Sequence, residues 1–238
     1  KIGTLTEDKI VLEKYLDVMG NEDFRVLKHA FLNAYFQTGL KSNIDEAVIK
    51  RGIEHGLDEI STKYVKVDEI PFDFSRRRLS IIVNDGTKTQ LITKGAVEEI
   101  LNICTLVDYK GKVEPITNSI KENIKKITKE LNKQGLRVVA VCQKNDLNKT
   151  EEFNVSDEKN MVLIGFIGFL DPPKETAKSS IEKLGKNGIR VIVLTGDNVE
   201  VTRCVCDKVG IKSNRIVTGA QIDKLADQGL KRLLKKTN

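Results

Sequence analysis

Val193-Leu194-Thr195-Gly196-Asp197-Asn198 joins an apolar run, Ile189 to Leu194, to the start of a helix through a single glycine. The run is too apolar for a strand with one wet face, so it reads as buried parallel sheet. Where such a strand ends and a helix begins, free backbone N–H groups and the positive end of the helix dipole point at one spot, which suits a phosphate. In that reading Gly196 lets the backbone approach the anion, Thr195 offers a hydroxyl, and Asp197 caps the helix or positions the phosphoryl region. The plainer alternative is an ordinary strand-to-helix turn.

Working outward, the spacing of Ala177, Ile181 and Leu184 predicts a helix over Glu175 to Lys186, and a second helix spans Val199 to Lys208, ending at Gly210. Ile216-Val217 reads as a short strand, and a final helix covers Ala220 to Lys236. This is doubly wound α/β alternation. Asp171-Pro172-Pro173 marks a stiff junction, since neither proline can donate a ladder hydrogen bond.

Before the junction the texture differs. Helices are expected at Asp23 to Phe36 and Ile44 to Gly56, and strands from Tyr64 onward. Leu79 to Val83 and Gln90 to Thr93 flank Asn84-Asp85-Gly86, a hairpin signal. An amphipathic helix covers Ser119 to Gln134, with Gly135 placed to end it. Strands follow at Leu136 to Cys142 and Met161 to Leu170. The expectation is an α/β chain: an α+β domain with a mixed antiparallel sheet over 9–170, inserted in a partial doubly wound domain formed by 1–8 and 171–238.

Composition fits a globular chain, 39% hydrophobic and 31% charged with four prolines. The longest apolar run is about ten residues, and a bilayer-spanning helix needs roughly twenty. The +6 net charge is spread among 34 acidic residues without aromatic interleaving, so no nucleic-acid groove is expected. Cys104, Cys142, Cys204 and Cys206 show no framework spacing and read as reduced thiols.

The chain opens Lys1-Ile2-Gly3-Thr4-Leu5-Thr6. This resembles the tail of the Asp-Lys-Thr-Gly-Thr-Leu-Thr signature of P-type ATPases, whose aspartate would stand before Lys1. Thr4 would then share a phosphoryl site with Thr195, Gly196 and Asp197, as in haloacid-dehalogenase-like phosphotransferases. Phe72-Asp73-Phe74-Ser75-Arg76-Arg77-Arg78 is similar to the pumps' Phe-Ser-Arg segment. Lys94-Gly95-Ala96 with Glu98 resembles Lys-Gly-Ala-x-Glu, and Asp45-Glu46-Ala47-Val48 resembles a short acidic helix start. Gly135-Leu136-Arg137 is similar to the arginine segment that meets the polyphosphate.

The resemblance implies that ATP stacks on Phe74, with Asp45 accepting from the adenine amino group and Arg78, Lys94, Gly95 and Arg137 lining the pocket. Each has a plainer alternative: core phenylalanine, helix-start acid, solvated cation, turn glycine. Resemblance covers the whole chain and is strongest to bacterial magnesium-importing pumps, on Gln37-Thr38-Gly39-Leu40-Lys41 and Leu170-Asp171-Pro172-Pro173-Lys174-Glu175-Thr176; calcium is the competing cargo. It implies ATP and Mg2+ as cofactors, the metal ligands lying beyond this chain apart from the Thr4 backbone region. Transmembrane and actuator parts of a pump are implied as partners, with a monomeric, soluble fragment on the cytoplasmic side of the cell membrane. Ile2 departs from the signature's threonine. Leu79 stands where related calcium pumps carry a lysine, leaving Arg77 or Arg78 as substitutes. Two other classes stay open: a free-standing phosphatase, which would need its own aspartate, and a binding module without nucleotide.

Overall fold

The computed structural model describes residues 4–7, 9–145, 147, 152–212, 216–225 and 229. They fall into two compact units, one comprising Ile10–Thr128 and Arg137–Leu170, the other Lys1–Lys9, Lys129–Leu136 and Asp171–Asn238.

The first unit holds, in chain order, β1 (Val11–Leu16), α1 (Phe24–Phe36), α2 (Asn43–Glu54), α3 (Leu57–Ser61), β2 (Val65–Asp73), β3 (Arg78–Asn84), β4 (Thr89–Ala96) and α4 (Val97–Ile103). Then come β5 (Cys104–Tyr109), β6 (Lys112–Pro115), α5 (Asn118–Lys133, in this unit as far as Thr128), β7 (Arg137–Asn145) and β8 (Met161–Leu170). Among the described residues the strands form one eight-stranded sheet in the order β2-β3-β4-β7-β8-β5-β6, with β1 also on β8. Its pairings are antiparallel except β5 on β8.

Local chemistry fixes the β3–β4 hairpin. Asp85 Oδ1 accepts from Thr87 N at 3.0 Å and Lys88 N at 2.9 Å, and Gly86 takes φ +87°, a conformation only glycine adopts without strain. Strand alternation then sends neighbours to opposite faces. Ile81, Ile92 and Val141 enter one core with Phe31, Leu27 and Val48 from α1 and α2. Ile82, Leu91 and Ala140 enter a second core with Ile100 of α4 and Ile124 of α5. Both faces are covered, which explains why Leu79 to Val83 of β3 reads as an almost unbroken apolar run.

The helix ends also follow sequence. Asp23 caps α1 by accepting from Arg25 N, and Ser42 with Asp45 makes a reciprocal capping box on α2. Gly135, at φ +88°, follows α5. The strands at β1, β5 and β6, and the helices α3 and α4, were not expected from sequence; their short runs mix polar and apolar residues without clean periodicity.

In the second unit, α6 (Glu175–Lys186) and α7 (Val199–Lys208) form as expected. Asn198, not Asp197, caps α7, its Oδ1 accepting from Val201 N at 2.9 Å. The parallel strands expected at Ile189–Leu194 and Ile216-Val217 do not form. Both stretches carry no strand assignment, and Leu194 is 82% exposed. Strand structure requires a hydrogen-bonded neighbour, and among the described residues neither segment has one. Of the helix expected over Ala220 to Lys236, α8 (Gly219–Ile222) forms and stops, residues 223–225 being turn and coil; apart from Gly229, the rest of that span, like Ile2, lies outside the described residues. Three cysteines are buried and Cys204 half-buried, all as free thiols.

Gly52 lets α2 approach α1: a Cβ there would sit 2.1 Å from Phe31 Cδ2. Gly52→Ala should therefore lower stability by about 1–3 kcal/mol through overpacking, despite the ~1 kcal/mol helix-propensity advantage of alanine. In a Phe31→Leu background the loss should shrink. Denaturant midpoints measure both, and an unchanged or raised midpoint for Gly52→Ala rejects the close packing.

Candidate functional site

β3 and β4 place the first group of site residues. Leu79 pairs with Lys94, and Arg78 with Gly95. Lys94 lies on the same sheet face as Ile92, beneath α1 and α2, with its side chain 9% exposed. Its Nζ stands 2.5 Å from Asp45 Oδ1 and 3.4 Å from Gln37 Oε1. The other carboxylate oxygen of Asp45 accepts from Ser42 N at 2.9 Å and Ser42 Oγ at 2.7 Å. Asp45 thus closes the helix cap and neutralises the lysine at once.

Burial works against charge on both partners. For Asp45 it is outweighed by Lys94 and the two Ser42 bonds, which hold the carboxyl below its usual range. For Lys94, burial is the largest influence and pulls the ammonium down, opposed by Asp45 and by Glu69. Glu69 is itself pinned: its Oε2 accepts from Thr38 N at 2.9 Å, Thr38 Oγ1 at 2.8 Å and Lys66 Nζ at 2.5 Å.

Phe74 sits on the turn between β2 and β3 and is 89% exposed. Phe72 meets it edge-on, with centroids 5.3 Å apart. So large an apolar ring in water on an ordered turn is not a core residue, contrary to the plainer alternative. The turn is well braced. Asp73 Oδ1 accepts from Ser75 N and Arg76 N, both at 2.9 Å, and from Ser75 Oγ.

The second brace comes from Glu158, a residue that sequence reasoning missed. Its side chain is fully buried and accepts from Arg76 Nη1 at 2.9 Å, Arg78 Nε at 2.7 Å and Ser80 Oγ at 2.6 Å. One carboxylate therefore ties down arginines on the C-terminal side of Phe74. No local pattern reveals this, because Glu158 lies about eighty positions away in the chain.

Arg78 is consequently engaged in this buried cluster, and Arg77 takes the exposed position, paired with Glu99 at 2.6 Å. Leu79 is 3% exposed in the core, so its departure from the pumps' lysine is a packing residue here. Gly95 is required by the protein itself: a Cβ there would lie 2.6 Å from the Arg77 carbonyl oxygen. Arg137 opens β7, two positions beyond the Val139–Ala96 pair, and so stands at the Gly95 end of the sheet.

The second unit is built around a different corner. Leu5 and Thr6 run beside the proline junction, with Lys174 N donating to Leu5 O at 2.9 Å and Glu7 N to Pro172 O at 2.9 Å. Thr6 Oγ1 donates to Asp171 Oδ2 at 2.8 Å, both buried. Leu5 and Val193 pack on the same apolar cluster of Ala177, Cys206, Val209 and Ile211. The Thr4 and Thr195 segments thus meet one core. Thr195 Oγ1 bonds Asp197 Oδ2 at 3.0 Å and accepts from Asp197 N at 3.1 Å. Beside Gly196 the space is open.

Because the Asp45 carboxyl is held below its unfolded value near 4, its contribution to stability is present above about pH 4 and lost as pH falls through the folded value. The expected result is an acid limb in denaturation midpoints of the wild type that is flattened in Asp45→Asn. Parallel limbs would contradict the pairing. Glu158→Ala, which strands two arginines, should cost about 3–5 kcal/mol in equilibrium unfolding; a loss under 1 kcal/mol would show that the cluster carries no weight.

Comparison with known proteins bears on what these residues belong to. The family described as "P-type ATPase, cytoplasmic domain N" matches residues 33–176. The chain is 43% identical over 238 residues to magnesium-transporting ATPase, P-type 1, of Escherichia coli K12, covering 100% of this chain and 26% of that protein. A Salmonella typhimurium protein of the same name is 38% identical over 234 residues, covering 97% and 26%. Calcium-transporting ATPase 1 of Lactococcus lactis is 30% identical over 257 residues, covering 99% and 29%. The chain spans about a quarter of the length of these relatives, and among the described residues no helix is long and apolar enough to cross a membrane. Phe74, Lys94, Asp45 and every strand of the sheet except β1 fall within the matched segment, and the chain belongs to the P-type ATPase cytoplasmic domain N family.

Proposed function

We propose that this chain is the ATP-holding part of a P-type pump, and that the pump moves a cation, magnesium, across a membrane. The observation that carries the nucleotide reading is Phe74: an almost fully exposed ring on a turn braced by Asp73 and Glu158, at the end of the strand pair that carries Lys94. A rigid aromatic face in water is a stacking platform for a base. Magnesium rather than calcium is favoured by the closer match to the magnesium-transporting relatives, 43% against 30%.

In this reading Phe74 stacks on adenine and Asp45 offers a carboxylate to its amino group. Lys94 supplies positive charge, and Arg137 meets the polyphosphate. Arg77, exposed beside Arg78, is the cation free to swing toward phosphate at the expense of a surface ion pair worth under about 1 kcal/mol. Residues 9–170 form the nucleotide domain, and 1–8 with 171–238 contribute to the phosphorylation domain. There Thr4, Thr195, Gly196 and Asp197 surround the phosphoryl group, with Asp197 oriented by Thr195. Mg2+ would supply charge neutralisation to the triphosphate; on this chain the Thr4 backbone region is where it would approach. The remaining pump parts, transmembrane and actuator, are the partners.

Binding by one stack and a few screened charges amounts to ~4 kcal/mol, a Kd of about 1 mM. Titration should show ATP preferred over GTP, with Phe74→Ala weakening ATP by tenfold or more and amide shifts centred on Phe74 and Lys94. Shifts confined to other regions would refute the pocket. The 238-residue polypeptide has no aspartate in the signature position, so by itself it should turn over no ATP; steady phosphate release above a protein-free blank would refute that.

A further inference from the structure

Gln37 ends α1, leaving the helix at φ −59° and ψ 135°, and stands beside Lys94. An ammonium only donates, so the carboxamide oxygen must be the atom facing Nζ. That fixes the amide's orientation and turns its NH2 away from the lysine. Among the described residues nothing accepts from that NH2. Asp45, paired with the same ammonium, is an ionised carboxylate and purely an acceptor. The amide oxygen and the carboxylate therefore both meet one ammonium, and the amide NH2 is left as a donor for a ligand.

The residue that keeps Gln37 there is Glu69. Thr38, next in the chain, gives both its N–H and its hydroxyl to one oxygen of Glu69, and Lys66 anchors that same oxygen from β2. Beyond Thr38 the loop has little else to hold it: Gly39 has nothing within 4 Å of a Cβ position, and Leu40 is 99% exposed. Lys41 rejoins the body through the Tyr35 carbonyl at 3.2 Å.

We infer that Gln37 is a base-specificity residue of the nucleotide pocket and that Glu69 is the positioning residue that holds it. The inference rests on the nucleotide reading above and adds to it how the purine is chosen. Adenine presents an amino donor next to a ring-nitrogen acceptor, which complements an acceptor carboxylate beside a donor amide. Guanine presents the reverse, a carbonyl acceptor next to an N–H donor. Gln37 thus favours adenine through its NH2, and a pocket lacking it loses that discrimination.

The test is titration of the 238-residue chain and its variants with ATP and GTP, with thermal melts alongside. Gln37→Leu should weaken ATP about fivefold and leave GTP unchanged, a change expected from loss of one hydrogen bond. Glu69→Ala should lower the ATP-to-GTP ratio similarly, and Glu69→Gln, which keeps an acceptor oxygen, should restore most of it. Should Glu69→Ala fail to fold, Gln37→Leu and Glu69→Gln decide the matter. An unchanged ratio in Gln37→Leu with ATP still bound overturns this inference alone. A wild-type chain that binds neither nucleotide, or binds ATP equally well as Phe74→Ala, overturns the nucleotide reading and this inference with it.

Discussion

A lysine and an aspartate withdrawn from water together set the terms for the first unit. Lys94 enters from the sheet and Asp45 from a helix start, so their pairing fastens α2 to β4 by charge as well as by apolar contact. Neither could occupy its place alone: an unpaired buried charge is among the most destabilising single features a fold can carry. Asp45 also completes the α2 cap through Ser42, so the pair ties helix initiation to sheet geometry. The rest of the candidate site is arranged around it, with Gln37 and Glu69 on one side and the Phe74 turn at the strand end.

A second buried carboxylate does comparable work on the opposite sheet face. Glu158 gathers Arg76, Arg78 and Ser80. The two acids divide the tasks: one sustains a cation beneath the helices, the other stiffens an aromatic turn. Rigid support of an exposed ring limits the conformational entropy lost when a ligand stacks on it.

Much of this was legible in sequence where the cause is local. Asp85-Gly86 specified the hairpin, Asp23 and Gly135 marked helix ends, and the unbroken Met161–Leu170 run gave β8 its bounds. Phe74, Lys94 and Asp45 were each legible as motif members, but their neighbourhood was not, since Lys94 and Asp45 lie in different elements. Ile189–Leu194 misled because apolar content reports a wish for burial, while a strand also needs a partner edge. Glu158 was invisible for the converse reason: a lone glutamate gains meaning only from distant arginines. Val11–Leu16, with Glu13 and Lys14 at its centre, hid a strand because its neighbour on β8, not its own pattern, holds it in place.

β8 has β7 along one edge, while β1 and β5 share the other. It lies last in the sequence of the first unit yet sits in the middle of its sheet. Translation proceeds at roughly 5–20 residues per second, so β1 would leave the ribosome on the order of ten seconds before the strand it joins. Until then both sheet halves present open, sticky margins. The nascent polypeptide therefore has to wait, unfinished and exposed to chaperones, for one late ten-residue segment to zip its two halves into a domain.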